Sequence, residues 1–199
     1  MNILLISPLG FALKPDTKYA GIERLVWEYS KELVKEHDVT VMGHADSIYP
    51  EGVKVLRTTP DRVYDAELQA YQSYQYLLRN YDVIHDFSHL HLVSRFNVNL
   101  PTLNIIWHAP SLAKYPKAPY NIISPSEWGV REFERIYRQK ARYQQTIIID
   151  PEVYYSNGTH GDRFLAIGRM GRDKGNLNAL LLCQELNVPL DIVGASCGE

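Results

Sequence analysis

Short apolar runs alternate with longer stretches in which apolar residues recur every three or four positions. Residues 2–7, Asn2-Ile3-Leu4-Leu5-Ile6-Ser7, are almost continuously apolar, as a strand covered on both faces must be. Beyond a loop over 8–20, Ile22, Leu25, Val26, Tyr29 and Leu33 fall at helical spacing with charges between them. The pattern predicts that this helix ends near His37 and that strands follow over 38–42 and 53–57. A helix rich in Tyr and Leu is predicted over 64–79, with strands over 82–85 and 102–107. A short strand over 121–124 feeds another helix, for which Ser124, Pro125 and Glu127 supply a capping residue, a first-turn proline and a capping-box acid. A strand over 146–149 closes the series. Strands that alternate with helices are parallel and joined by crossovers, so the predicted fold is α/β: a doubly wound, Rossmann-like parallel sheet.

The rhythm breaks once. Pro151 and the run Ser156-Asn157-Gly158-Thr159-His160-Gly161 are turn formers. The predicted organisation is therefore a first Rossmann-like domain over 1–150, a linker over 151–161, and the start of a second Rossmann-like unit over 162–199. In that unit a strand over 163–167, a polar turn over 168–175, a helix over 176–186 and a strand over 190–193 are expected. Two strands and one helix cannot cover both faces of a sheet. The second domain is expected to be incomplete, needing more chain, the first domain or another molecule to cover it.

Composition narrows the class. The 199 residues are 45% hydrophobic and 22% charged, ordinary values for a globular protein. A net charge of −2 and a pI near 6.4 give no bulk attraction for nucleic acid. The two cysteines, Cys183 and Cys197, lie late in the chain, outside metal-type spacing, and read as reduced thiols of a cytosolic protein. The opening residues lack the basic leader of a signal peptide and no apolar run reaches membrane-spanning length, so a cytoplasmic location is expected.

In an open α/β sheet, ligands bind beyond the carboxyl ends of the strands. The loop after the first strand closes with Tyr19-Ala20-Gly21-Ile22-Glu23-Arg24. Gly21 stands at the predicted helix N-terminus, where free N–H groups favour an anion and a missing Cβ admits a phosphate; the alternative is a glycine that merely shapes the turn. No G-x-G-x-x-G follows the strand, which disfavours a nicotinamide-dependent dehydrogenase. His108 follows the 102–107 strand, where a histidine can stabilise developing charge, hold an acceptor hydroxyl, or be purely structural. The sharpest feature is Gly168-Arg169-Met170-Gly171-Arg172-Asp173-Lys174-Gly175. It sets Arg169 and Lys174 in one glycine-framed turn, where Arg can clamp a diphosphate bidentately and Lys can add a point charge. The alternative is a solvated basic turn.

Gly168-Arg169 followed by Asp173-Lys174-Gly175 resembles the "GR…(E/D)KG" signature of family 4 glycosyltransferases, which have the GT-B fold. Ala20-Gly21-Ile22-Glu23-Arg24 is similar to the family's G-G-x-E-R loop, with Ala20 in place of its first glycine. Asp82-Val83-Ile84-His85, Ile106-Trp107-His108-Ala109-Pro110, Ser124-Pro125-Ser126-Glu127 and Leu190-Asp191-Ile192-Val193-Gly194 resemble further family segments, in order along nearly the whole chain. The resemblance implies two facing Rossmann-like domains with the active site between them, the first for the acceptor and the second for the nucleotide sugar. It implies Arg169, Lys174 and Gly21 on the donor diphosphate, and His108 as the catalytic residue beside the transferred sugar. It also implies a metal-independent, retaining enzyme with no cofactor beyond its nucleotide-diphosphate sugar. The family's later acidic pair falls beyond Glu199, and the segment 146–155 has Ile149-Asp150-Pro151 where the family often turns on Asn-Gly.

Weaker signals complete the set. His85, His89 and Glu23 are acceptor-side candidates. The stretch Asp86-Phe87-Ser88-His89-Leu90-His91 invites a metal, but histidines two apart point to different faces of a helix or strand, so no metal site is expected. Arg131, Arg135, Arg138, Lys140 and Arg142 read as a solvated helix face, or as a peripheral membrane contact suited to a lipid-linked acceptor. Tyr64, Tyr71, Tyr74 and Tyr76 read mostly as core. The sequence thus points to the acceptor half of a retaining glycosyltransferase, not active alone, using a saccharide or lipid-linked acceptor and no nucleic acid. The alternative is a non-catalytic sugar- or nucleotide-binding module working with a partner chain, a second copy or a missing C-terminal domain.

Overall fold

The computed structural model describes residues 1–14, 17, 20–58, 63–97, 99–109, 118–144, 147–148, 151–152, 155, 158–159 and 161–194, the side chains of 63–65 excepted. They belong to two compact units, Met1–Ile149 and Asp150–Glu199. The first unit runs β1 (Asn2–Ile6), α1 (Gly21–Leu33), β2 (Asp38–His44), β3 (Lys54–Thr58) and α2 (Val63–Tyr74), which tightens into a 3-10 turn over Gln75–Asn80. It continues through β4 (Val83–Asp86), α3 (Leu92–Phe96), β5 (Thr102–Ile105), β6 (Ile122–Ser124), α4 (Glu127–Tyr137) and β7 (Ala141–Tyr143).

The seven strands form one sheet in the order β3-β2-β1-β4-β5-β6-β7, and every pairing is parallel. Helices flank both faces, which makes the unit a Rossmann-like doubly wound α/β fold. Central β1 shows why its sequence is apolar without alternation. Leu4 and Ile6 pack with Met42, Ile84 and the α2 residues Ala70, Tyr71 and Tyr74 on one face. Ile3 and Leu5 pack with Val39, Val41 and Val26 of α1 on the other. A third cluster, Ile106, Ile122 and Phe133, seats α4.

Several local features differ from the sequence expectation. The cap of α4 is Ser126, whose side chain accepts from the Gly129 N–H at 3.0 Å, and not Ser124. Ser124 ends β6, and its hydroxyl accepts from the Ser126 N–H at 3.4 Å, so it supports the turn one step earlier. The basic stretch is not one helix face: α4 stops at Tyr137, Arg138 takes a left-handed conformation, and Arg142 lies on edge strand β7. Arg131 pairs with Glu127, Arg135 with Glu132, and Lys140 with Glu134. The predicted 146–149 strand has both ends outside the described residues, and 147–148 are not in a strand. Of the tyrosines, Tyr71 and Tyr74 are core while Tyr76 is 75% exposed.

In the second unit β8 (Phe164–Ile167) pairs in parallel with β9 (Leu190–Val193), and α5 (Asn176–Glu185) joins them through a 3-10 turn over Arg172–Lys174. Cys183 of α5 is buried and unbridged. Leu165, Ile167 and Val193 share one sheet face and are all exposed, as are Leu177, Leu180, Leu181 and Leu182 of α5.

Candidate functional site

The sheet reverses its winding between β1 and β4. The carboxyl ends of those two strands therefore border the crevice in which such sheets take ligands. The loop leaving β4 is held there by two buried carboxylates. Asp86, fully buried at the end of β4, accepts from the Ser88 N–H at 2.9 Å and the Ser88 hydroxyl at 2.6 Å. Ser88 Oγ in turn accepts from the His91 N–H at 3.2 Å, and His91 Nδ1 lies 3.8 Å from Asp86 Oδ1. From α2, Glu67 accepts the His89 and Leu90 N–H groups at 2.9 and 2.8 Å. Burial pushes the Glu67 carboxyl up to about 7 against those two donors, and the charges of Asp86 and Glu23 push the same way. His91 closes the loop at φ 46°, in the left-handed region.

This bracing sets His89 against His108, which follows β5; their ring centroids are 5.0 Å apart. Burial, with positive charge on His108 and His91 acting in the same direction and Asp86 against them, lowers the His89 pKa to about 4. His89 is thus a neutral imidazole at pH 7, able to accept or donate one hydrogen bond. His108 is the exposed member of the pair.

At the other crevice wall α1 begins at Gly21 behind Ala20, which makes no side-chain cap, so the helix's leading N–H groups are not closed off by that residue. A Cβ on Gly21 would meet nothing within 4 Å, so packing does not demand glycine there. Glu23 is buried beneath the β1–α1 loop, where the Phe11 N–H donates to it; burial raises its pKa. His85 lies on the α1 face of β4, buried edge-on against Tyr29 at 5.5 Å and beside Phe87 at 4.2 Å. Burial takes its pKa down to about 4. The structure therefore joins His89 and His108 at the crevice, leaves Gly21 open on the facing loop, and places Glu23 and His85 inside as supports. Glu67 was not anticipated, because a carboxylate on a helix carries no sequence mark of backbone partners more than twenty residues away.

Within the second unit, Gly168 ends β8 with its N–H donated to Val193 O at 3.0 Å. A Cβ on Gly194 would collide with the Gly168 carbonyl, so the two backbones meet closely where the strands end. Arg169 and Lys174 both reach Asp173, at 3.4 and 3.3 Å. Asn176 fixes the turn by donating to Arg169 O at 2.8 Å, and Gly175 supplies the positive φ of 70° that starts α5. The Lys174 hydrogen bond, then the positive charges of Lys174 and Arg169, hold the Asp173 carboxyl below its usual range.

Among the described residues, no group of three or more His, Cys, Asp or Glu is arranged to hold a metal ion. No described helix is long and apolar enough to cross a membrane. No family model matches the chain, and no curated protein is significantly similar to it in sequence.

Proposed function

We propose that this chain carries the acceptor side and the diphosphate turn of a retaining, metal-independent glycosyltransferase of family 4. One observation carries the reading: Arg169 and Lys174 converge on a single carboxylate at the end of a parallel strand, in a glycine-framed turn that opens a helix. Two cations that already share one oxygen acceptor form a ready site for a diphosphate. The ordered set of family-like segments supports the same reading, as does the neutral His89 beside His108 at the crevice of the first unit.

In the proposed reaction the bond from the sugar's anomeric carbon to the donor diphosphate breaks, and a bond to the acceptor oxygen forms on the same face. The acceptor's hydroxyl proton passes to the departing diphosphate. Arg169 and Lys174 take up the charge that grows on that leaving group. His108 steadies the transferred sugar as positive charge develops at its anomeric carbon. The proposed acceptor is a saccharide or a lipid-linked saccharide, and the proposed setting is the cytoplasm, with peripheral membrane contact.

The reading is tested by thermal-shift and calorimetric titration of the chain with uridine, guanosine and adenosine diphosphates and their sugars. A nucleotide sugar that binds the folded state raises the melting temperature. Absence of binding by every diphosphate, or binding indifferent to loss of both Arg169 and Lys174, rejects it. A second reading, a non-catalytic nucleotide- or sugar-binding module working with a partner, is favoured by the exposed Leu165, Ile167 and Val193 face. It predicts nucleotide binding that strengthens on association, so tight binding by a strictly monomeric chain counts against it.

A further inference from the structure

A pocket of about 270 Å³ opens between the β1–α1 loop, α1 and the loop after β2, lined among the described residues by Leu13, Lys14, Arg24, Trp27, Ile48 and Tyr49. Its walls are tied together. The Leu13 N–H donates to Ser47 Oγ at 2.9 Å, and the Ile48 N–H donates to Leu13 O at 2.8 Å. Arg24 is anchored through one guanidinium nitrogen, which donates to Thr17 O at 3.0 Å. The Tyr49 hydroxyl occupies space that a side chain at Gly43 would fill, so that glycine is required by the ring it admits. These contacts preform the cavity, which reduces the ordering cost of binding.

The lining has two parts. Leu13, Trp27, Ile48 and the Tyr49 ring are apolar, and Ile48 is 56% exposed although it sits beside them. Lys14 and Arg24 form no ion pair among the described residues, and both stand at the pocket. Arg24, Trp27 and Lys31 recur at i, i+3 and i+7 along one stripe of α1, and Lys31 Nζ lies 5.6 Å from the centre of the Trp27 ring. An apolar floor rimmed by Lys14 and Arg24 complements a molecule with the opposite layout. The volume falls just below the roughly 300–1,000 Å³ of common small-molecule sites, which limits the occupant to about one ring.

We infer that this pocket binds a small ligand that joins an apolar, ring-sized body to one anionic group, a carboxylate or a phosphate. The inference does not depend on the sugar-transfer reading, because the pocket lies wholly within the first unit and its test contains no nucleotide sugar.

Calorimetric titration of the full chain with phenyl phosphate, benzoate, inorganic phosphate and benzyl alcohol tests it. Phenyl phosphate or benzoate is expected to bind, with inorganic phosphate and benzyl alcohol at least about ten-fold weaker, since each lacks half of the complement. Arg24→Gln and Lys14→Gln are each expected to weaken binding about ten-fold, the effect of one charge-assisted contact. Lys14 is exposed on a loop, so Lys14→Gln retains the fold and keeps the test readable even where Arg24→Gln does not. Failure of both aryl anions to bind overturns the inference. So does inorganic phosphate binding as tightly as phenyl phosphate, or aryl-anion affinity unchanged in Lys14→Gln.

Discussion

His89 lies against His108 with ring centroids 5.0 Å apart and planes inclined by 33°. The two residues lie on the loops that leave successive strands, β4 and β5. They meet because Glu67 and Asp86 clamp the intervening loop from below. At this spacing two imidazolium ions repel, so protonation of one is linked to the state of the other.

That linkage gives a direct test of the pairing. Replacing His108 with Ala removes a positive neighbour and opens His89 to water, and both changes favour the charged form. The His89 titration midpoint, about 4 in the parent protein, is expected to rise toward the ordinary histidine value of about 6.5. Imidazole NMR titration reads this shift. An unmoved midpoint means the rings are not in contact in solution.

His85 governs an acid limb of stability. Its folded-state pKa, about 4, lies below that of the unfolded chain, which therefore takes up a proton first. Stability falls as pH drops from about 6.5 toward 4. His85→Phe, which suits the neighbouring Tyr29 and Phe87, removes that loss. Relative to the parent, the variant is expected to gain about 2 kcal/mol between pH 7.5 and pH 5. Urea unfolding at the two pH values measures it, and equal differences at both would show that His85 is not held neutral by burial.

Glu67 acts in the opposite sense. Its folded-state pKa, about 7, stands above its unfolded value, so the folded protein keeps a proton that the unfolded chain has already released. Stability is full below about pH 4.5 and declines as pH rises through 7, by about 3 kcal/mol in all. Glu67→Gln cannot ionise. It forfeits one of the two backbone acceptors, a cost of about 1–3 kcal/mol at any pH. The gap between parent and variant is expected to narrow by about 3 kcal/mol from pH 4.5 to pH 8.5, as read by chemical denaturation. A gap that does not change with pH would refute the raised pKa.

The diphosphate turn makes a graded prediction. Arg169→Ala is expected to lower nucleoside-diphosphate affinity about ten-fold or more. Arg169→Lys should restore only part of it, because an ammonium cannot present two parallel donors. Full recovery by Lys would reduce the role of Arg169 to charge alone. Titration calorimetry at fixed ionic strength separates the outcomes.

How much of this was readable in the chain depended on burial. β1 announced itself because both of its faces are covered, so Ile3, Leu4, Leu5 and Ile6 had to be apolar together. β7 gave no such sign: it is a three-residue edge strand carrying Arg142, and an edge needs neither length nor apolar character. The α4 cap was misplaced by two residues because Ser124 and Ser126 both serve the same turn. His85 and His89 looked equivalent in sequence, yet one sits on a strand facing the α1 core and the other on the loop beyond. Only the pleat and the strand's end separate them.

Central β1 is flanked by β2 on one side and β4 on the other, and the Asn2 N–H reaches across to Asp82, a sequence separation of 80 residues. During synthesis the first strand must therefore keep one edge unpaired while those residues are added. At ribosomal speeds of roughly 5–20 residues per second the wait is about 4–16 s. β1 is thus the interior strand whose second edge waits longest for its partner in the nascent chain, and an unpaired apolar edge is a template for pairing with another chain.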